Sequence, residues 1–137
     1  MPLPFLDTNI LLRHLLNDHP LQSPASKALI QRIEQARQTV WTTDLTIAGV
    51  VSVLSGKRFY NFPRDAIRDA LLPLIGLPGV KLANKRIYPQ VFALYTSLPI
   101  DYIDASHAAL MESRREHELC SYDSDFDRVG GLVRREP

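Results

Sequence analysis

Short apolar runs that read as strands alternate along this chain with longer stretches whose apolar residues recur at helical spacing. That alternation constrains the fold more than any other feature. A strand followed by a helix returns over one face of a sheet and enters the next strand in parallel. Residues 3–6, 40–42, 80–82 and 119–121 read as short strands, with 132–134 as a fifth. Residues 9–17, 22–37 and 44–55 read as helices, as do a segment that Pro63 opens and Gly76 closes, one that Asn84 caps, and 101–117. The expected architecture is a three-layer α/β sandwich around a central, mainly parallel sheet of four to five short strands, in a single domain over residues 1–137.

The helix at 44–55 stands apart. Leu45, Ile47, Ala48, Val50, Val51, Val53 and Leu54 place apolar groups nearly all round it. Such a helix is buried on several sides, within its own chain or against a second copy.

A chain of 137 residues, 45% of them apolar, is large enough to build a core without covalent staples. Its one cysteine excludes a disulfide framework within the chain and a cysteine-rich zinc site. Cys120, in the run Leu119-Cys120-Ser121-Tyr122, is expected to be an inert core thiol. No apolar run approaches the roughly 18 residues that span a bilayer. The opening Met1-Pro2-Leu3-Pro4-Phe5 lacks the basic start of a secretion signal, so a cytoplasmic location with no membrane contact is expected. A formal net charge of +1 excludes a uniformly basic surface. A nucleic-acid binder of this balance must segregate its charges, with basic rims around an acidic centre.

Acidic residues occupy the places where an open parallel α/β fold binds ligands, at the carboxyl ends of strands. Asp7 directly follows the first strand, Asp123 and Asp125 follow the fourth, and Asp104 sits in the first turn of the helix that feeds that strand. Read one at a time, these are ordinary cap and turn residues: Asp7 before a helix, Asp101 and Asp104 beside a helix dipole, Asp123-Ser124-Asp125 in a turn. Read together, they converge on one cleft. Crowded carboxylates repel, and a divalent cation compensates them. Oxygen ligands with no Cys or His nearby favour Mg²⁺ or Mn²⁺ over zinc. Such an ion binds a phosphodiester oxygen and activates water for in-line attack. Phosphatases that use a strand-end Asp need a second Asp two residues on, and that place is Asn9.

Three segments resemble a known family. Phe5-Leu6-Asp7-Thr8-Asn9-Ile10-Leu11-Leu12-Arg13 resembles the opening of PIN-domain proteins, especially VapC toxins. Leu98-Pro99-Ile100-Asp101-Tyr102-Ile103-Asp104-Ala105 resembles their later acidic helix start, and Ser121-Tyr122-Asp123-Ser124-Asp125-Phe126-Asp127 their final motif. The resemblance runs the length of the chain. It implies a Rossmann-like PIN fold, metal-dependent endoribonuclease activity, a homodimer, an RNA substrate and inhibition by a cognate antitoxin. It also implies roles. Asp7, Asp104 and Asp123 form the acidic core, Asp125 is an accessory ligand, Thr8 and Asn9 orient the first carboxylate, and Ser121 keeps a hydroxyl where the family often has Thr.

The departure is at residue 49. The segment from Thr42 to Leu54 resembles the helix that supplies the family's second acid, normally Glu, and that acid falls on Gly49. Glycine inside a helix costs about 1 kcal/mol relative to alanine. Either Gly49 lets a neighbouring backbone approach closely, or it is a loss-of-function change. The chain is then a weakened nuclease, or a module that binds RNA or an antitoxin without turnover. Glu34 and Asp44 do not replace the missing acid: one lies on the polar face of the preceding helix, the other at the wrong end of its own.

Arg13, Lys57 and Arg58 are the candidates for contacts to RNA phosphates. His14, His19, His107 and His117 show no ligand spacing, and Trp41 and Phe92 read as core or interface residues.

Overall fold

The structure is a computed structural model and describes residues 2–137. The chain forms two compact units, one ending at Lys85 and the other beginning at Arg86.

The first unit holds α1 (Thr8–Leu16), α2 (Gln22–Glu34), β1 (Val40–Trp41), α3 (Asp44–Ser55), α4 (Arg64–Ile75) and β2 (Val80–Lys81). β1 and β2 pair in parallel, with Val40 opposite Val80 and Trp41 opposite Lys81. The segment before α1 lies along the other side of β1: the Leu6 amide donates to the Trp41 carbonyl at 2.8 Å and the Trp41 amide to the Pro4 carbonyl at 3.0 Å. This segment forms a single bridge at Phe5, not a full strand. The Thr42 hydroxyl donates to the buried Leu6 carbonyl at 2.8 Å, which fixes the chain one residue before Asp7. Leu6, Leu11, Ile30, Val40, Ile47 and Leu71 are among the side chains that fill this core. α3 buries Thr46, Ile47, Val50, Val51 and Leu54, while Leu45 stays 79% exposed, so only part of its apolar circumference is covered.

The second unit begins with a 3₁₀ turn (Lys85–Ile87, straddling the boundary) that leads into α5 (Tyr88–Ser97). α6 (Tyr102–Ser113), β3 (Glu118–Cys120), a 3₁₀ turn (Ser124–Arg128) and β4 (Val133–Arg135) follow. Phe92 and Tyr95 of α5 meet Tyr102 at ring-centroid distances of 5.6 and 5.7 Å. Buried Ala105, Ala108 and Ala109 leave room for the close packing of α6 on α5. β3 and β4 pair in parallel, Leu119 opposite Arg134.

Every ladder is parallel, as the alternation of strands and helices requires. The expected central sheet of four to five strands is corrected: the described residues form two two-stranded ladders, with one bridge added at Phe5. The strands are only two or three residues long, too short for hydrogen bonding to extend far on either side. Cys120 is also corrected. It is exposed, because β3 turns Glu118 and Cys120 outward and covers neither.

Two helices stop earlier than expected. α2 ends at Glu34 with Ala36 left-handed (φ 59°), and α6 ends at Ser113 with Arg115 left-handed (φ 56°). In each case an amide reaches five residues back, Arg37 to the Arg32 carbonyl and Glu116 to the Met111 carbonyl, closing the helix end.

Gly79 is the tightest glycine in the first unit. A Cβ there would stand 2.8 Å from the Gln38 carbonyl oxygen and 2.9 Å from Ile33 Cγ2, while the Gly79 carbonyl accepts from the Val40 amide at 2.8 Å. Gly79→Ala is therefore expected to push β1 and β2 apart and cost about 1–3 kcal/mol. The check is a lower midpoint in thermal or urea unfolding followed by circular dichroism.

Candidate metal centre

The site in the second unit is built at a helix start and a strand end. Asp101 caps α6: its Oδ1 accepts from the Asp104 amide at 2.8 Å. The cap and the aromatic cluster around Tyr102 fix the first turn of α6. They hold Asp104 inward, where it is only 9% exposed. After β3 the chain turns through a relay of side-chain caps. The Ser121 hydroxyl accepts from the Asp123 amide at 3.0 Å, and Asp123 Oδ1 accepts from the Asp125 amide at 2.9 Å. Buried Phe126 anchors the following 3₁₀ turn. A bidentate Arg134–Asp127 pair, at 3.0 and 3.1 Å, ties that turn to β4.

These elements bring three carboxylates together. One oxygen from each of Asp104, Asp123 and Asp125 lies within 4.8 Å of the others. Asp104 Oδ2 is buried with no hydrogen-bond partner among the described residues. Burial, and then the neighbouring carboxylates of Asp101, Asp123 and Asp125, push the Asp104 carboxyl up to about 6. A side-chain hydrogen bond with Asp123 also holds the Asp104 proton, and a buried carboxyl with a partnerless oxygen beside two further carboxylates is a donor set that fits a hard divalent cation. The donor set is oxygen only, and His107, one turn on from Asp104, is exposed. Arg128 approaches Asp125 at 4.0 Å, an exposed pair that adds little stability.

The remaining candidates belong to the first unit. Asp7 is the N-cap of α1, its Oδ1 accepting from the Thr8 amide at 2.8 Å. Capping occupies one oxygen of Asp7 and one of Asp123, so the cap role and a ligand role are compatible in each. Thr8 thus holds Asp7 through its main chain. Asn9 is exposed and makes no hydrogen bond to Asp7. Gly49 faces Thr8: a Cβ there would stand 3.3 Å from Thr8 Oγ1 and 3.5 Å from Thr8 Cγ2. The close neighbour is a side chain, not the backbone that one explanation of this glycine required. A side chain at position 49 would leave α3 beside the residue that follows Asp7. Arg13 is engaged, its Nη1 on Asp18 at 3.1 Å and its Nε on Gln22 at 2.9 Å. Lys57 and Arg58 are exposed, with no ion pair to another described residue.

The chain gathers three carboxylates at a helix start and a strand end, a donor set that could hold a hard metal ion. Residues 5–132 match the PIN domain family model, and the chain belongs to the PIN domain family. The match runs through both units. PIN domains are usually metal-dependent nucleases acting on RNA or DNA. Among curated proteins, none matches this chain. No helix of the described residues is long and apolar enough to cross a membrane.

Because the folded protein raises the Asp104 carboxyl to about 6, it holds that proton more tightly than the unfolded chain does. The resulting stability is full below the unfolded value of about 4 and is lost as pH rises through about 6. Metal-free protein is therefore expected to unfold at a higher temperature at pH 5 than the Asp104 contribution allows at pH 8. Asp104→Asn should flatten that difference, raising metal-free stability at pH 8 by on the order of 1–3 kcal/mol. The same variant should lose the stabilisation that added Mn²⁺ gives the native protein, read by differential scanning calorimetry with and without chelator.

Proposed function

We propose that this chain is a metal-dependent endoribonuclease of the VapC toxin kind, with activity lowered by Gly49. The observation that carries the reading is the trio Asp104, Asp123 and Asp125, of which Asp104 is buried and has one oxygen without a hydrogen-bond partner among the described residues. In this reading Asp104 and Asp123 hold Mg²⁺ or Mn²⁺, Asp125 assists, and Asp7 joins them on the strength of its motif. Ser121 and Thr8 keep the Asp123 and Asp7 carboxylates in their turns. When bound, the ion supplies a Lewis acid for a phosphodiester oxygen and a water of lowered pKa. The chain's own residues position the acids and leave Asp104 Oδ2 without a hydrogen-bond partner among the described residues. Lys57 and Arg58 receive phosphates, while Arg13 reaches one only by leaving Asp18 and Gln22. The chain works as a single PIN domain over residues 1–137. A homodimer and a cognate antitoxin complete the proposal on the family resemblance alone, and a cytoplasmic location on the lack of a basic secretion-signal start.

A second reading has its own support. α3 carries no acid on the face toward Thr8, since its sole carboxylate is Asp44 at the first turn. The domain then binds RNA or an antitoxin without turning RNA over.

One experiment separates the two: cleavage of a structured RNA in Mn²⁺ by the native chain, Gly49→Glu and Asp104→Asn. A working nuclease short of one acid should gain at least about tenfold in rate with Gly49→Glu, close to 1.4 kcal/mol of barrier. It should lose all activity with Asp104→Asn. The contact at Thr8 is tight by only a few tenths of an ångström and lies against a side chain that can rotate, so the variant should fold. Cleavage that survives Asp104→Asn would overturn the nuclease reading. No cleavage by either the native chain or Gly49→Glu would leave the binding module.

A further inference from the structure

The loop after α3 departs from what a solvated connection needs. Residues 56–62 read Gly-Lys-Arg-Phe-Tyr-Asn-Phe and place Phe59 77% in solvent, with Tyr60 and Phe62 also exposed. An exposed aromatic on a slack loop would be unremarkable, but this loop is tied down. The amides of Phe59 and Asn61 both donate to the Gly56 carbonyl at 3.0 Å, and the Phe62 amide donates to Leu54 at 2.8 Å. Asn61 takes the left-handed conformation (φ 48°), which turns the chain back. Tyr60 packs edge-on against Phe62 at 6.0 Å, and its hydroxyl donates to Asp18 Oδ2 at 3.3 Å. The edge of the Phe59 ring rests over Gly56, where a Cβ would stand 3.1 Å from Cδ2. The anchoring is done by Tyr60 and Phe62. Phe59, Lys57 and Arg58 are left outward, and neither cation is paired with a described acid.

We propose that this loop is a docking element for single-stranded RNA, with Phe59 as the platform for one unstacked base and Lys57 and Arg58 as its phosphate contacts. The inference rests on the nuclease reading for its choice of polymer. It goes beyond that reading in assigning a base-stacking residue outside the acidic site. The chemistry is complementary on both counts: two cations meet a polyanion, and a flat apolar ring meets the face of any base. A wholly apolar protein partner would gain nothing from two adjacent cations that burial would have to desolvate. Because the loop backbone is already held, binding orders little of the loop, and the cost of docking is low.

The test uses the full-length chain in chelator, where cleavage is silent, with a short fluorescein-labelled single-stranded RNA read by fluorescence anisotropy. Phe59→Ala should weaken binding about 5- to 100-fold, and Phe59→Trp should restore it. The double variant Lys57→Ala/Arg58→Ala should lower the slope of log affinity against log salt by about 1.4, two phosphates' worth on a single strand. Unchanged melting curves confirm that the variants fold. Equal affinity of Phe59→Ala and native protein overturns the proposal, as does equal loss on a duplex of the same sequence. A dimer that becomes monomeric in Phe59→Ala with RNA affinity intact assigns the loop to a second copy and likewise overturns it. If RNA binds through the loop but Mn²⁺ never yields cleavage, only the nuclease reading fails. If cleavage proceeds with KM unmoved by Phe59→Ala, only the docking proposal fails.

Discussion

The buried carboxylate of Asp104 is the constraint around which the second unit is arranged. Placing a charge out of water beside Asp101, Asp123 and Asp125 is unfavourable, and the chain accepts this in return for an unpartnered oxygen. What holds the arrangement is not local to the acids. Asp101 fixes the first turn of α6 by capping it, and Phe92 and Tyr95 of α5 fix the same turn through Tyr102. On the other side, Phe126 and the Arg134–Asp127 pair hold the turn that carries Asp123 and Asp125. Remove that support and the three carboxylates, of which only Asp104 is buried, would no longer converge.

Capping is the device used throughout. Asp7, Asp101 and Asp123 each accept an amide one to three residues ahead. The modest reading of Asp7 as a helix cap and of Asp123 as a turn residue is therefore correct, while Asp101, expected as a first-turn acid beside the helix dipole, is the N-cap itself. It is incomplete for Asp123, whose carboxylate also joins the cluster. A cap uses one oxygen and orients the other, so structure and chemistry share the same side chain.

Much of the site was legible in the sequence because caps and strand ends announce themselves by residue type. Asp7, Asp104, Asp123 and Asp125 stand out by their places relative to helix and strand, and Asp104, Asp123 and Asp125 come together in the structure. The gap at Gly49 was visible from its motif, but its surroundings were not. Only packing brings the Thr8 side chain to 3.3 Å from where a Cβ would begin. Arg13 looked free in sequence and is engaged with Asp18 and Gln22, because the turn between α1 and α2 folds back on it. Cys120 looked like a core thiol from its apolar neighbour, and a one-sided ladder left it exposed.

The sequence by itself determined the order and type of the elements, through apolar spacing and caps that act within a few residues. It also determined the parallel sense of the ladders and the residues that carry charge. The tertiary structure decided where helices stop and how far strands pair. The ends of α2 and α6 have no glycine to mark them; Ala36 and Arg115 adopt left-handed backbone at a cost that the surrounding fold sustains. It also decided that Phe59 stands in solvent on a loop pinned by Tyr60 to Asp18, and that one oxygen of Asp104 has no partner. These features depend on residues tens of positions apart meeting in space. Local propensity says nothing of such meetings; packing and the desolvation of charge decide them.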